Sequence, residues 1–423
     1  MRVRSPRQQS RSGAVGVFPA VATTRRCGGD VFTQSVLVAT SRTARDINRQ
    51  VILNLIRKHQ PISRADLARR SQLQRSTVSL ITEQLIAERL VSEGAQGNLP
   101  RGRKPTFLHL NSAKVAIFGV EIKPDETTLV VADLGLNIVQ RETIPTNQNA
   151  RQFVVELNQR IGALQSASPE LTFAGIGVAL PGRVDPLSGR VVFAPALPWK
   201  SFELKAALEE VTGLPVEIEN SANACVLTEL WSGRYLENWQ NLIAVVVADG
   251  VEVGLMLNGQ IVRGAGGLAG EFGHVVVQDQ GPACLCGNRG CLAVCASNLA
   301  AVQYYKQAAS KDDSSVEVCF SDLLRRAEKK EPRAIQALHR MAHHLGLGIA
   351  MLAMGLSPDL ILIEGELARS WARIGPVIDR VLAQRLPATF RTRILPIAPE
   401  SQSTLRGALV LVLQQRFGGP KIL

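Results

Sequence analysis

The sequence predicts an α/β protein: a winged helix-turn-helix near the N-terminus, followed by two similar lobes. Three observations lead there. Net positive charge is confined to one end. Residues 1–110 carry 19 Lys/Arg against 6 Asp/Glu, and the remainder carries 29 against 30. Between Asp46 and Leu110, short helical repeats and a tight polar turn are followed by a basic hairpin. From Val115 onward, short apolar strands alternate with longer helices, and the second half repeats the theme of the first. The 423 residues allow two to four domains at about 100–200 residues each. A 46% hydrophobic content excludes a largely disordered or fibrous chain.

Residues 1–44 have Asp30 as their only acid, no sustained periodicity and no apolar core suited to a signal peptide. They read as a basic, disordered arm or an over-extended start. From Asp46, apolar residues Ile47, Val51, Ile52, Leu55 and Ile56 recur at helical spacing until Pro61 ends the run. Ser63 suits an N-cap, with Asp66 at the third position of the next helix, Arg64–Arg70, which turns Leu67 and Ala68 inward. The polar turn 71–74 leads to a helix from Arg75 to Glu88 with Val78, Ile81, Leu85 and Ile86 on one face. Leu90-Val91 and Thr106–Leu110 then form two strands of a wing. Farther on, strands are expected at Val115–Ile122, Thr128–Asp133, Ala174–Leu180, Leu242–Val247, Val253–Leu257 and Leu360–Ile363. Helices are expected through Phe153–Leu164 and Ala334–Met354.

Clustered positive charge on a small module points to a polyanion, nucleic acid before membrane. In a helix-turn-helix the second helix enters the major groove, and its first residues meet bases and phosphates. Those residues are Arg75, Ser76, Thr77 and Ser79: one cation suited to a guanine edge and three short hydroxyl donors. Arg64 opens the preceding helix. Arg101, Arg103 and Lys104 surround Gly102 in the wing, an arrangement suited to a narrow minor groove. Membrane insertion is not expected. The uncharged run from Leu345 to Pro358 falls short of the roughly 20 residues a spanning helix needs.

Seven cysteines, three of them between 284 and 291, do not resemble a secreted disulfide framework; they point to a reducing, cytoplasmic location. Cys284, Cys286 and Cys291 give C-x-C-x4-C, with His274 ten residues upstream. Three thiolates and one imidazole complete a tetrahedral zinc site. With no open position for a reactive water, that zinc is structural.

Gly270-Glu271-Phe272-Gly273-His274 followed by C-x-C-G-x-x-G-C, together with Arg263-Gly264-Ala265 and Gly267, resembles the signature of the ROK family of repressors, open reading frames and kinases. The resemblance runs from about Asp46 to Phe417. It implies a two-lobed, actin-like (sugar kinase-like) ROK domain around a sugar cleft, carrying in the repressor branch an N-terminal winged helix. It also implies sugar-responsive transcription regulators such as xylose and N-acetylglucosamine repressors. Asn220, Glu271 and His274 persist among the family's sugar-binding groups, while Ser221, Ala293 and Ala196 replace others. Arg183 lies near the cleft in the family and suits an anionic effector.

The elements a kinase member needs are altered. The first phosphate loop, D-x-G-G-T-K in the family, reads Glu121-Ile122-Lys123-Pro124-Asp125-Glu126-Thr127. The second, G-T-G-x-G-x-G, reads Ala248-Asp249-Gly250-Val251-Glu252-Val253-Gly254. The adenosine-side G-G reads Glu364-Gly365-Glu366. Ser221 stands at the position of the catalytic aspartate, and a neutral hydroxyl is a poor base. No catalytic residue and no ATP are therefore expected. The domains expected are an arm (1–44), a winged helix-turn-helix (45–110) and a ROK domain (111–423). Within the last, lobe one covers about 111–235 plus the C-terminal helix, and lobe two about 236–404. The expected function is a DNA-binding regulator acting as a repressor, a homodimer or homotetramer on an operator, sensing a sugar or sugar-derived effector. An ATP-dependent sugar kinase with a DNA-binding domain and a ligand-independent DNA-binding protein are the alternatives.

Overall fold

The N-terminal elements form because capping and apolar spacing agree. The computed structural model describes residues 41–96, 105–111, 114–199, 201–232, 239–308 and 318–417. Helix α1 (Ser41–His59) leads into strand β1 (Ile62–Ser63), helix α2 (Arg64–Ser71) and helix α3 (Arg75–Ala87). Strands β2 (Val91–Gln96) and β3 (Thr106–Leu110) follow. Ser63 caps α2: its hydroxyl accepts the Asp66 N–H at 3.2 Å and donates to the Asp66 carboxylate at 2.6 Å. The three strands order as β1-β3-β2, with β3 antiparallel to both neighbours. This is the winged helix-turn-helix arrangement that the spacing predicts.

Two five-stranded sheets follow, and they share one topology. The first contains β4 (Val115–Ile122), β5 (Glu126–Asp133), β6 (Ile138–Pro145), β7 (Thr172–Leu180) and β10 (Val216–Asn220). Helices α4 (Ala150–Ala167), α5 (Leu204–Thr212) and α6 (Ser221–Ser232) accompany them, with a small β8 (Arg183–Val184) and β9 (Val191–Phe193) ribbon. Its order is β10-β7-β4-β5-β6: antiparallel from β4 through β6, parallel from β4 through β10. The second contains β11 (Leu242–Val247), β12 (Val251–Leu257), β13 (Gln260–Ile261), β14 (Leu360–Glu364) and β15 (Arg393–Pro396). Its order, β13-β12-β11-β14-β15, repeats the same antiparallel and parallel halves. The central strands read as continuous apolar runs because both faces are covered. Helices α7 (Leu292–Ala296), α8 (Asn298–Gln307), α9 (Phe320–Glu328), α10 (Pro332–Leu356) and α11 (Trp371–Arg385) pack with the second sheet.

The last helix, α12 (Ser403–Phe417), lies against β4, β7, β10 and α6 of the first sheet. It approaches α6 so closely that a Cβ at Gly407 would stand 1.9 Å from the Ala224 carbonyl oxygen. Leu405, Leu409, Val412 and Leu413 of α12 join Ile52, Leu53, Ile56, Leu67, Val78 and Leu85 of the winged helix in one buried cluster, which also takes in Ile117 and Val130. The N-terminal helices and the first sheet thus share a buried cluster. None of the described helices is long and apolar enough to cross a membrane.

Leu409 is fully buried at this junction. Leu409→Ala is expected to lower the unfolding free energy by about 2–5 kcal/mol, read by urea denaturation. An unchanged midpoint would contradict the burial of Leu409 in this cluster.

Candidate functional site

The DNA-facing candidates divide on their partners. Arg75 and Ser76 are exposed, and Thr77 and Ser79 half-buried, on the first turns of α3. Gln74 makes no side-chain cap there, so the amide groups of that turn are open to an anion. Arg64 has other work. Its Nε donates to Thr82 Oγ1 at 3.1 Å and its Nη1 pairs with Glu93 at 2.7 Å, tying α2 to α3 and β2. Arg101, Arg103 and Lys104 lie outside the described residues.

The metal candidates come together. One ligand atom each from His274, Cys284, Cys286 and Cys291 lies within 4.8 Å of the others. The Cys286 and Cys291 sulfurs are 3.6 Å apart, and His274 Nδ1 is 3.4 Å from Cys284 Sγ. Two sulfurs bound at about 2.3 Å to one tetrahedral ion stand roughly 3.8 Å apart, so the donor set and spacing fit zinc. The loop closes through Gly290, at φ +67°, where a Cβ would come within 1.7 Å of the Gln278 carbonyl oxygen. Burial, then hydrogen bonding to its sulfur neighbours, pushes the Cys291 thiol up to about 12. The single 3-10 turn Glu271–His274 places Glu271 Oε2 3.6 Å from His274 Nε2. One imidazole therefore faces the thiols with one nitrogen and the cleft acid with the other.

The cleft candidates are organised around a residue whose role sequence reasoning missed. Glu252 on β12 accepts the Gly182 N–H at 2.5 Å, and the Asn220 amide donates to the Gly182 carbonyl at 2.8 Å. Burial pushes the Glu252 carboxyl up to about 8; the Gly182 N–H opposes that shift, and Glu271 adds to it by repulsion. Glu252 thus stands among Gly182, Asn220 and Glu271, rather than simply repelling phosphate. Nothing in the local sequence signals a bond to a residue 70 positions away. Beside them, Glu219 holds Arg263 through Nη2 at 2.6 Å and Nε at 2.7 Å.

Ser221, buried at the start of α6, supplies no carboxylate where a kinase needs its base. The phosphate turns converge in space. Asp249, between β11 and β12, has its carboxyl raised first by burial, then by Asp125 of the β4–β5 turn and Glu366 beyond β14. Three carboxylates so placed oppose a triphosphate.

Helix α6 spans from this cleft to the reading head. Asn220 Oδ1 accepts the Ala222 and Asn223 N–H groups at 2.8 and 3.3 Å, capping its start. Eleven residues later, about 16 Å along the axis, Trp231 meets Arg57 of α1. The guanidinium lies 3.9 Å from the indole centroid, and Nη1 donates to the Trp231 carbonyl at 3.3 Å.

The Glu252 geometry sets a pH dependence. Its folded value lies above the usual 4.5. Its stabilising contribution is therefore complete below about pH 4.5 and lost as pH rises toward 8. The urea midpoint of the native chain should fall relative to that of Glu252→Gln between pH 5 and 8. Parallel profiles would contradict this.

Comparison with known proteins agrees with this architecture. The family model described as ROK family matches residues 117–415. The xylose repressor of Bacillus subtilis (strain 168) is 29% identical over 79% of this chain and 85% of its own length. The N-acetylglucosamine repressor of Escherichia coli O157:H7 is 28% identical over 89% of this chain and 94% of its own. A solved ROK family transcriptional regulator, a homologue of the Escherichia coli Mlc protein, superposes with a TM-score of 0.77 at 25% identity, covering 89% of this chain and 98% of that one. The resemblance carried by the glycine, histidine and cysteine pattern holds across the fold, and this chain belongs to the ROK family.

Proposed function

We propose that this chain is a sequence-specific DNA-binding transcription regulator, a repressor, in which the cleft of a catalytically degenerate ROK domain takes a sugar or related metabolite. The observation that carries this reading is a DNA-reading head whose core is continuous with a kinase-like lobe, while the phosphate turns of that fold present Asp125, Asp249 and Glu366. Arg75, Ser76, Thr77 and Ser79 meet the operator in the major groove, and Arg101, Arg103 and Lys104 of the wing reach the adjacent backbone or minor groove. Arg64 contributes mainly by holding the head together. Asn220, Glu271 and His274 contact the effector. The relatives named for xylose and N-acetylglucosamine support a carbohydrate ligand. The protein acts in the cytoplasm as a homodimer or homotetramer, which makes the operator palindromic.

His274, Cys284, Cys286 and Cys291 hold a structural zinc that fixes the turn bearing Glu271. The ion supplies no chemistry to a reaction; it orients His274 and, through it, the cleft acid. An effector that recruits Asn220 changes the cap of α6, and α6 passes the change to α1 through Trp231 and Arg57. The shift works only if the effector binds one arrangement better than the other.

Footprinting on the DNA upstream of the chain's own gene tests the main claim. Protection should weaken steeply with salt, and Arg75→Ala should cost about 1–3 kcal/mol of specific binding. Absence of salt-dependent protection would overturn the reading. Metal analysis should find about one zinc per chain, lost in Cys286→Ser; a folded, metal-free native protein contradicts the site. A coupled ATP assay over hexoses, pentoses and amino sugars should show no turnover above background. Turnover abolished by Ser221→Ala would restore the kinase alternative.

A further inference from the structure

We infer that Glu252 makes the effector cleft selective for a ligand carrying a protonated amine, an amino sugar or similar amino polyol. The inference rests on the reading of the cleft as an effector site and names its ligand class. Glu252 stands where the family loop carries glycine, so its carboxyl is an addition of this chain to a site otherwise built for hydroxyls. It is not a loose surface acid: the Gly182 N–H holds it at 2.5 Å, and Asn220 holds the carbonyl of the same residue.

The polar groups here are unbalanced toward acceptors. Glu252 and Glu271 oppose each other. The nearby cation Arg263 is committed to Glu219. Asn223, buried one turn into α6, donates its amide to Glu219, and its side-chain oxygen has no partner among the described residues. A neutral sugar brings hydroxyls that both donate and accept, and it leaves the two carboxyls facing each other. An ammonium group brings three donors and no acceptor, with a charge that compensates Glu271. Its charge also restores the ionised form of Glu252, which burial otherwise disfavours. The opposing feature is Arg183, next to Gly182, whose Nε is buried without a partner. It would favour an anionic ligand, and the test includes one.

Calorimetry on the full-length zinc-loaded protein at pH 7 and fixed ionic strength uses three matched pairs, which differ only in an amine for a hydroxyl. They are glucosamine with glucose, galactosamine with galactose, and mannosamine with mannose. N-acetylglucosamine and glucose 6-phosphate complete the set. At least one amino sugar should bind about 10-fold or more tightly than its hydroxyl partner. N-acetylglucosamine, whose amine is neutralised, should behave like glucose. In Glu252→Gln the ratio should fall to within about 2-fold. Glu252→Gly, which restores the family residue, should do the same and guards against a folding defect in either variant. The inference is overturned if the pairs bind equally, if glucose 6-phosphate binds tightest, or if the preference survives both variants. Tight binding of a neutral or phosphorylated sugar would sink the amine inference and leave the effector reading intact. Binding of none of the eight would sink it as well, while footprinting would still decide the DNA-binding reading.

Discussion

The structure depends on one apolar junction. The winged helix does not hang from a tether; its core residues Ile52, Leu53, Ile56 and Leu85 are buried in the same cluster as Leu409, Val412 and Leu413 of α12 and Ile117 of β4. A head of this size buries limited apolar surface alone. Sharing a core stabilises it and also removes its freedom to move independently. This shared cluster gives a close-packed route from the first sheet to α1. The contact of Gly407 with Ala224 extends the same argument to α6.

Polar chemistry in the cleft follows a second constraint. The fold that holds sugar and nucleotide between two lobes relies on glycines wherever backbone must approach phosphate. This chain keeps the strands, loses several of the glycines (to Lys123, Pro124, Ala248 and Glu252 among others) and adds acids in the same turns. The acids fall into two groups. Asp125 and Glu366 raise the Asp249 carboxyl by repulsion, in the turns that match the family's phosphate loops. Glu252 turns inward and accepts the Gly182 N–H, next to the Asn220 amide that holds the Gly182 carbonyl. The Cys/His cluster fixes the edge of this region, since the His274 ring lies between Cys284 and Glu271.

Much of this was legible in the sequence, for identifiable reasons. The winged helix could be read because Ser63, Asp66 and Pro61 mark boundaries locally and apolar spacing marks the faces. The metal site could be read because its ligands lie within 18 residues of one another and their type admits few other uses. The alternating strands announced the two sheets, although β6, half-exposed and polar, gave no such signal. What could not be read depends on partners far apart in the chain. Arg64 looks like a groove contact until Thr82 and Glu93 claim its guanidinium. Glu252 looks only like a lost glycine until Gly182 is seen to hold it. The Arg57–Trp231 stack joins residues 174 positions apart, and no periodicity reports it.

The central claim is that the cleft and the reading head are one mechanical unit joined by α6 and the shared core. Amide hydrogen exchange on the full-length protein, native against Asn220→Ala, tests it without needing an effector. Loss of the Asn220 cap should speed exchange along α6 from Ala222 to Trp231 and onward into α1 around Arg57. Faster exchange confined to the first turn of α6, with α1 unchanged, would contradict the account.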